Sequence, residues 1–322
     1  MKLLVVGGAG YIGSHMVKLL HESGHQVTVL DNLSQGHRDA VLGAELVVGD
    51  VKDTPLLKAV FQATRFAAVM HFASFIQVGE SLREPHKYYE NNVGNTLNLL
   101  NVMREHEVKR FIFSSSAAIY GEPQYVPIDE AHSKVPLNPY GRSKWMVEQV
   151  LEDYSRAQQT QSVSLRYFNA AGADPAGQLG ERHEPETHLI PLVLQATMGT
   201  PVQVFGRDYA TPDGTCIRDY IHVQDLCDAH LLALQYLLDG GDTDAFNLGN
   251  GDGYSVQEVI DTARTVTGKA ILTQDAPRRP GDPARLVADA TRAKNELNWR
   301  PRRAELEQII SDAWRWENAA KF

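Results

Sequence analysis

The sequence predicts an α/β protein: a Rossmann-type, doubly wound parallel sheet with a smaller mixed α/β domain after it. Three observations carry this. Short apolar runs alternate with helix-period segments through the first half of the chain. A glycine-rich turn, Gly7 to Gly13, joins the first apolar run to the first helical one. From Leu179 onward the segments shorten and loops multiply. The expected division is 1–178 for the first domain and 179–322 for the second, some segments of which return to pack on the first.

The bulk numbers set the class. A chain of 322 residues that is 43% hydrophobic and 22% charged has the composition of a soluble protein with a real core. The net charge of −9 is spread without long like-charge blocks, which argues against nucleic acid or an anionic membrane as partner. The opening Met1–Val6 starts like a signal peptide but runs into glycines, so it reads as a buried strand. No stretch approaches the ~18 apolar residues of a membrane span. Cys216 and Cys227 have no metal-like spacing and suit a reducing compartment. The expected location is cytoplasmic, and no metal site is read from the spacing.

The first strand, 2–6, leads into Gly7, Gly10 and Gly13 and then a helical pattern through Met16, Val17, Leu19 and Leu20. Strand, glycine turn and helix N-terminus place backbone N–H groups where a pyrophosphate can sit. The spacing, Gly-x-x-Gly-x-x-Gly, departs from the usual fingerprint, and alone it fits a packing turn as well as a nucleotide site. The second strand, 26–30, ends in Asp31, about twenty residues on, where a carboxylate accepts from ribose hydroxyls and repels a 2′-phosphate. That favours NAD over NADP, with Arg38 the only nearby cation to argue otherwise.

A third strand, 45–48, is followed by Asp50 and Val51, where an adenine edge would lie. A fourth, 67–72, contains His71, which has no partner at ligand spacing and is expected to pack. A helical pattern over 85–106 holds Asn91-Asn92. Buried amides need partners, so Asn91 either bonds locally to backbone or anchors Lys144. The fifth strand, 110–113, ends in the serine cluster Ser114-Ser115-Ser116, and the sixth, 162–168, leads to Asn169. Strand ends face the ligand crevice of such a sheet, although serines there also serve as caps.

Asn138-Pro139-Tyr140-Gly141-Arg142-Ser143-Lys144 opens the next helix. Residues four apart share a helix face, so Tyr140 and Lys144 project together. A phenol has a pKa of about 10, and using it as a base near neutral pH needs roughly 4 kcal/mol of help. An adjacent ammonium is an economical source. An isolated Tyr-x-x-x-Lys is an ordinary surface pair, but here it follows the glycine turn, Asp31 and Ser116.

In that order these features resemble the extended short-chain dehydrogenase/reductases over nearly the whole chain. Val78-Gly79-Glu80-Ser81, Tyr88 to Val93, Arg166-Tyr167-Phe168-Asn169, Arg218 to Val223 and Arg279-Pro280-Gly281-Asp282-Pro283 extend the likeness to the UDP-hexose 4-epimerases within that group. The resemblance implies interconversion of UDP-glucose and UDP-galactose by transient oxidation at C4 with tightly held NAD. It assigns catalysis to Ser116, Tyr140 and Lys144. It puts NAD against Gly7, Gly10, Tyr11, Ile12, Gly13, Asp31, Asn32, Ser34 and Gly36 at one end. Asp50, Val51, Phe72, Ala73, Ser74, Asn91, Ser114, Tyr140, Lys144 and Phe168 complete that set.

On the substrate side the same resemblance implies Ser116, Tyr140, Asn169, His188, Leu189, Gln203, Val204, Phe205, Arg218, Arg279, Asp282 and Leu286. Two fork-shaped guanidinium donors suit a diphosphate. Ile76 stands where some relatives have a lysine near the pyrophosphate, and His188 where some have asparagine. Leu286 takes a place where members restricted to glucose and galactose carry tyrosine, which leaves room for an N-acetyl group. A homodimer through the 91–106 and 145–155 helices is implied likewise. Ala117-Ala118 offer no acid–base pair for a nucleotide-sugar 4,6-dehydratase, and a non-catalytic NAD-binding regulator would have lost Tyr140 or Lys144. Trp299, Trp314 and Trp316 are expected to pack, not to stack on bases.

Overall fold

Apolar runs in the first half become parallel strands, and the helical segments between them cover both faces of one sheet. In chain order these are β1 (Lys2–Val6), α1 (Tyr11–Glu22), β2 (Gln26–Asp31), β3 (Glu45–Val48), α2 (Thr54–Ala63) and β4 (Ala68–His71). There follow α3 (Val78–Arg83), α4 (Pro85–Tyr88), α5 (Asn95–Glu105), β5 (Arg110–Ser116), α6 (Pro139–Arg156) and β6 (Gln161–Tyr167). The computed structural model describes residues 1–279, 281–320 and 322, so Pro280 of the Arg279–Pro283 run lies outside the described residues.

The second half adds β7 (Asn169–Ala171), α7 (Leu189–Gln195), β8 (Val202–Phe205), β9 (Ile217–Arg218), β10 (Tyr220–His222), α8 (Val223–Leu238) and β11 (Asp244–Leu248). It ends with β12 (Tyr254–Ser255), α9 (Val256–Thr267), β13 (Thr273–Ala276), β14 (Arg285–Leu286), α10 (Thr291–Glu296) and α11 (Leu306–Ala319).

Seven parallel strands pair in the order β11-β6-β5-β4-β1-β2-β3. Leu3, Leu4, Val5 and Val6 are all 0% exposed, as a strand covered on both faces requires. Their alternation divides the core. Leu3 and Val5 join Met16, Leu20, Leu226, Leu234 and Trp299 on the face of α1 and α8. Leu4 and Val6 join Leu57, Leu99, Met103 and Val147 on the face of α2, α5 and α6. Burying each such side chain contributes about 1.5–3 kcal/mol. The strand order reverses between β1 and β4, and that switch point is where the glycine turn opens a crevice.

Two expectations are refined. The 85–106 helix is interrupted by a π-helical turn, Tyr89–Gly94, and β5 runs on to Ser116. The strand β11, from the second half of the chain, pairs with β6 at one edge of the main sheet. The remaining second-half elements form small sheets, β12-β9-β14, β7-β10 and β8-β13, around a core of Val193, Leu194, Ile260 and Ile309.

His71 packs as expected: it is buried, with Nε2 3.0 Å from Thr96 Oγ1 and its ring stacked on Phe113. Trp299 and Trp316 are buried, and each indole N–H donates to a main-chain oxygen, of Asp225 and Glu181 respectively. Both cysteines are free and buried. Among the described residues no helix is long and apolar enough to cross a membrane.

Candidate active site

The start of α6 is fixed by its own sequence. Asn138 Oδ1 accepts from Gly141 N at 2.9 Å, and Pro139 fills the first turn, where no N–H is needed. A Cβ at Gly141 would lie 2.4 Å from Ala118 O, so only glycine lets the helix start this close to the end of β5. That approach sets Tyr140 beside Ser116. One turn on, Lys144 is 2% exposed and donates to Ser74 Oγ at 2.7 Å and Ser114 O at 2.8 Å.

Burial raises the Tyr140 phenol above its usual pKa, and among the protein's own groups the Ser116 hydroxyl pulls it down. The lowering expected from Lys144 is not what this geometry supplies. Nζ lies 5.9 Å from the Tyr140 ring centroid with its bonds directed at Ser74 and Ser114, and burial lowers the ammonium to about 7 despite Glu148. A positive charge closer to the phenol is therefore needed to ionise it.

Beneath the pair lies a buried network that the sequence did not announce. Glu148, one turn beyond Lys144, holds Arg166 of β6 by bonds of 2.6 and 3.1 Å and accepts from Ser115 of β5. Arg166 reaches Tyr120 Oη at 3.0 Å, and Tyr120 donates to Asn247 of β11 at 2.6 Å. Every partner is satisfied, the condition under which a buried charged network holds one geometry. Asn92 does similar work from the π-turn, spanning Phe75 N, Phe75 O and Ser143 Oγ at 2.9–3.1 Å. Neither role expected of Asn91 is realised: its amide meets the Asn92 and Asn95 side chains, and Asn92 is the clamp.

The cofactor side is built from main chain. Gly7 has φ +82°, and a Cβ there would lie 2.5 Å from Ala73 N; one at Gly13 would lie 2.1 Å from Gly7 O. A Cβ at Gly10 meets only Gly7 O, at 3.5 Å, so this position otherwise faces open space. No side chain caps α1, which leaves its first-turn N–H groups, from Tyr11 onward, for a ligand. Asp31 accepts from Ala9 N at 2.9 Å and Leu33 N at 2.8 Å, and burial raises its carboxyl against those two bonds. Asn32 Nδ2 bonds Asp50 at 2.9 Å and Asn32 Oδ1 accepts from Ser34 N, while Gly36 passes too close to Ala9 for any Cβ. Val51 and Phe72 close the apolar sides, Phe72 against His230. This donor-rich, uncapped turn with a carboxylate at the second strand fits a dinucleotide.

The nucleotide-sugar side comes from scattered short segments. Arg218 of β9 donates to Ile217 O at 2.8 Å and to Asp282, and Arg279 lies over the Phe205 ring at 3.9 Å. Leu286 of β14 pairs in register with Arg218 and packs with Phe168 and Trp145 on Ala117, Ile119 and Tyr120. Asn169 Nδ2 donates to Asp219 O at 2.9 Å. Val204 is buried in the second core, so only its main chain is available, whereas Gln203 is exposed. Leu189 lies partly buried at the start of α7, and His188 just before it turns Nδ1 to Glu181 and Glu186. Ile76 is 40% exposed in the loop after β4.

A sequence model of the NAD dependent epimerase/dehydratase family matches residues 3–249. The chain is 51% identical to the UDP-glucose 4-epimerase of Halalkalibacterium halodurans over 98% of its own length and 95% of that protein. The UDP-glucose 4-epimerase of Bifidobacterium longum, solved with NAD+ and UDP, superposes with a TM-score of 0.94 at 39% identity, covering 99% of both chains. The UDP-Glc/GlcNAc 4-epimerase of Campylobacter jejuni superposes at 0.87 with 43% identity, again over 99% of both.

Proposed function

The chain belongs to the NAD dependent epimerase/dehydratase family, and from that premise we infer that it is an isomerase interconverting UDP-glucose and UDP-galactose at the hexose C4. What supports this is Tyr140 beside Ser116 at the end of β5, the uncapped glycine turn after β1, and Leu286, in register with Arg218, packed on the Ala117 turn that follows Ser116. NAD, when bound, accepts and returns the hydride at C4 and brings positive charge beside the phenol.

Tyr140 takes the proton of the 4-hydroxyl and later gives it back, with Ser116 orienting that hydroxyl. Lys144 fixes the end of β5 through Ser114 O and the β4 loop through Ser74, holding the pair in place. Gly7, Gly10, Tyr11, Ile12 and Asp31 hold the cofactor, while Arg218 and Arg279 clamp the diphosphate and leave the hexose free to present either face. Most of the proposed polar anchors belong to the UDP side, which suits a sugar that must turn over. Residues 1–178 thus hold the cofactor and 179–322 the nucleotide sugar, with α8 and β11 returned to the first unit. Leu286, lacking a ring and hydroxyl, leaves space for a C2 acetamido group, so UDP-N-acetylhexosamines are substrates as well. The protein works as a cytoplasmic homodimer, its partner seated against α5 and α6.

The test is to purify the protein, record its absorbance with and without UDP-galactose, and analyse the products. Copurifying NAD and conversion to UDP-glucose without added cofactor are expected. Absence of conversion in a preparation carrying NAD would refute the reading.

A further inference from the structure

The loop between Gly180 and α7 carries Glu181, His183, Glu186 and His188, a cluster of which the proposed function uses only His188, on the nucleotide-sugar side. We propose that these four side chains bind one divalent transition-metal ion of the zinc class, as a structural clip.

Distances carry the proposal. One ring nitrogen of each histidine and one oxygen of each glutamate lie within 4.8 Å of one another. His183 Nδ1 is 3.2 Å from Glu181 Oε1 and 3.7 Å from Glu186 Oε2; His188 Nδ1 is 2.8 Å from Glu181 Oε1 and 3.0 Å from Glu186 Oε1. Bonds of about 2.0–2.2 Å in a tetrahedron place ligand atoms roughly 3.3–3.5 Å apart. The N···O distances straddle that value, the two to Glu186 running to its two different oxygens.

Hydrogen bonding accounts for only part of the arrangement. A single His188 N–H faces two carboxylate oxygens, and its bond in good geometry goes to Glu186. His183 Nδ1 is buried with no hydrogen-bond partner among the described residues. The two carboxylates are each 6% exposed, a pair of like charges that needs positive charge beside it, from protonated imidazoles or from an ion. A dication neutralises them and takes the two imidazoles as its remaining ligands. Two nitrogens, two oxygens and no open position describe a closed zinc-type site more than a catalytic one.

Position gives the clip something to hold. The Glu181 carbonyl accepts from Trp316 of α11 at 3.1 Å, and the His183 ring meets Tyr11, first residue of α1, edge-on at 6.4 Å. His188 stands immediately before Leu189. One ion would fix the shape of this loop, and with it the faces it presents to α11 and to Tyr11 of α1.

The test uses the full chain with its copurified cofactor and no histidine tag, dialysed against a chelator and then titrated with Zn²⁺ or Co²⁺. One equivalent per chain, a rise in thermal midpoint with ion concentration, and the intense visible bands of four-coordinate cobalt are expected. His183→Gln and Glu186→Gln should each lose the cobalt bands and the thermal response, with folding checked by circular dichroism and cofactor content. The proposal is overturned if the unmodified chain takes up no stoichiometric ion at micromolar concentration. It is equally overturned if both folded variants bind as before. The titration of the unmodified chain decides even where a variant fails to fold, because two protonated imidazoles neutralising the glutamates would leave nothing to bind.

Discussion

Asp31 and Arg218 each offer a charge to a ligand, but their surroundings differ in kind. Both Asp31 oxygens are held by main-chain N–H groups, from Ala9 in the glycine turn and Leu33 in its own. Arg218 is held by a carbonyl and by Asp282, a side chain that competes with any diphosphate for the same guanidinium. The cofactor side is thus set by backbone geometry close in sequence. The nucleotide side is set by side chains that must exchange partners on binding. The first is suited to a ligand that stays, the second to one that comes and goes.

The largest break in that comparison should come from a residue that the two sides share. Tyr140→Phe removes the proton acceptor and leaves both anchoring sets in place. Turnover is expected to fall by roughly 10²–10⁴-fold, with NAD content and UDP affinity within a few-fold of the unmodified protein. Single-turnover kinetics and UDP calorimetry check this, and a near-normal kcat would mean that another group is the base.

Leu286→Tyr probes the place proposed for the hexose between the two sides. Adding a ring against Phe168, Trp145 and the Ala117 turn should cost an N-acetylated substrate about 1–3 kcal/mol, or roughly 5- to 150-fold. The ratio of kcat/KM for UDP-N-acetylglucosamine to that for UDP-glucose should drop accordingly. An unchanged ratio would show that neighbours such as Val287 already close the space.

The two charged anchors make a reciprocal pair. Arg218→Ala should weaken UDP by about 1.5–3 kcal/mol, the worth of a charged hydrogen bond, and leave NAD content unchanged. Asp31→Ala should leave UDP affinity alone and relax the preference for NAD over NADP by about tenfold, the low end of what a charged hydrogen bond to the ribose contributes. If either variant moves both ligands together, the two sides are not independent.

This contrast also explains what the sequence made legible. Strand, turn and helix in the first unit are local in the chain, so Gly7 to Gly13, Asp31, Ser116, Tyr140 and Lys144 can be placed on their elements, and their shared order, not any one spacing, points to a function. The glycine turn, Asp31 and Ser116 lie at the carboxyl ends of β1, β2 and β5, on either side of the switch point, and α6 brings Tyr140 and Lys144 to the end of β5. The substrate side is assembled from β7, β8, β9, β14 and the start of α7, whose meeting no local pattern encodes. Resemblance, not periodicity, supplied Arg218, Arg279 and Leu286. A helical pattern points to Asn91 in place of Asn92 because it does not reveal a π-turn, which shifts the face each side chain takes. Glu148 had a signal, since it stands four residues beyond Lys144 on the same face, but its partner Arg166 lies on another strand. The Glu-x-His-x-x-Glu-x-His run was visible too, yet nothing in its spacing says that the loop folds all four side chains inward.

The smallest expected effect is the most specific for the chemistry. Ser116 is the protein group that lowers the Tyr140 phenol, against burial that raises it. The base acts when deprotonated, so activity rises with pH through the phenol's apparent pKa. Ser116→Ala removes the lowering hydrogen bond and must move that rising limb to higher pH. A hydrogen bond worth about 1 kcal/mol corresponds to a shift of roughly 0.7 units, since one unit is about 1.4 kcal/mol. Below the limb the variant should therefore lose up to about fivefold in kcat on this account, and above it the two profiles should draw together, apart from any loss in orientation. Asn138→Ala, which frees the start of α6 without touching the phenol, should lower stability by about 1 kcal/mol and leave the limb in place. A Ser116→Ala profile that keeps its shape and position, merely scaled down, would make Ser116 a positioning group for the sugar with no part in setting the base.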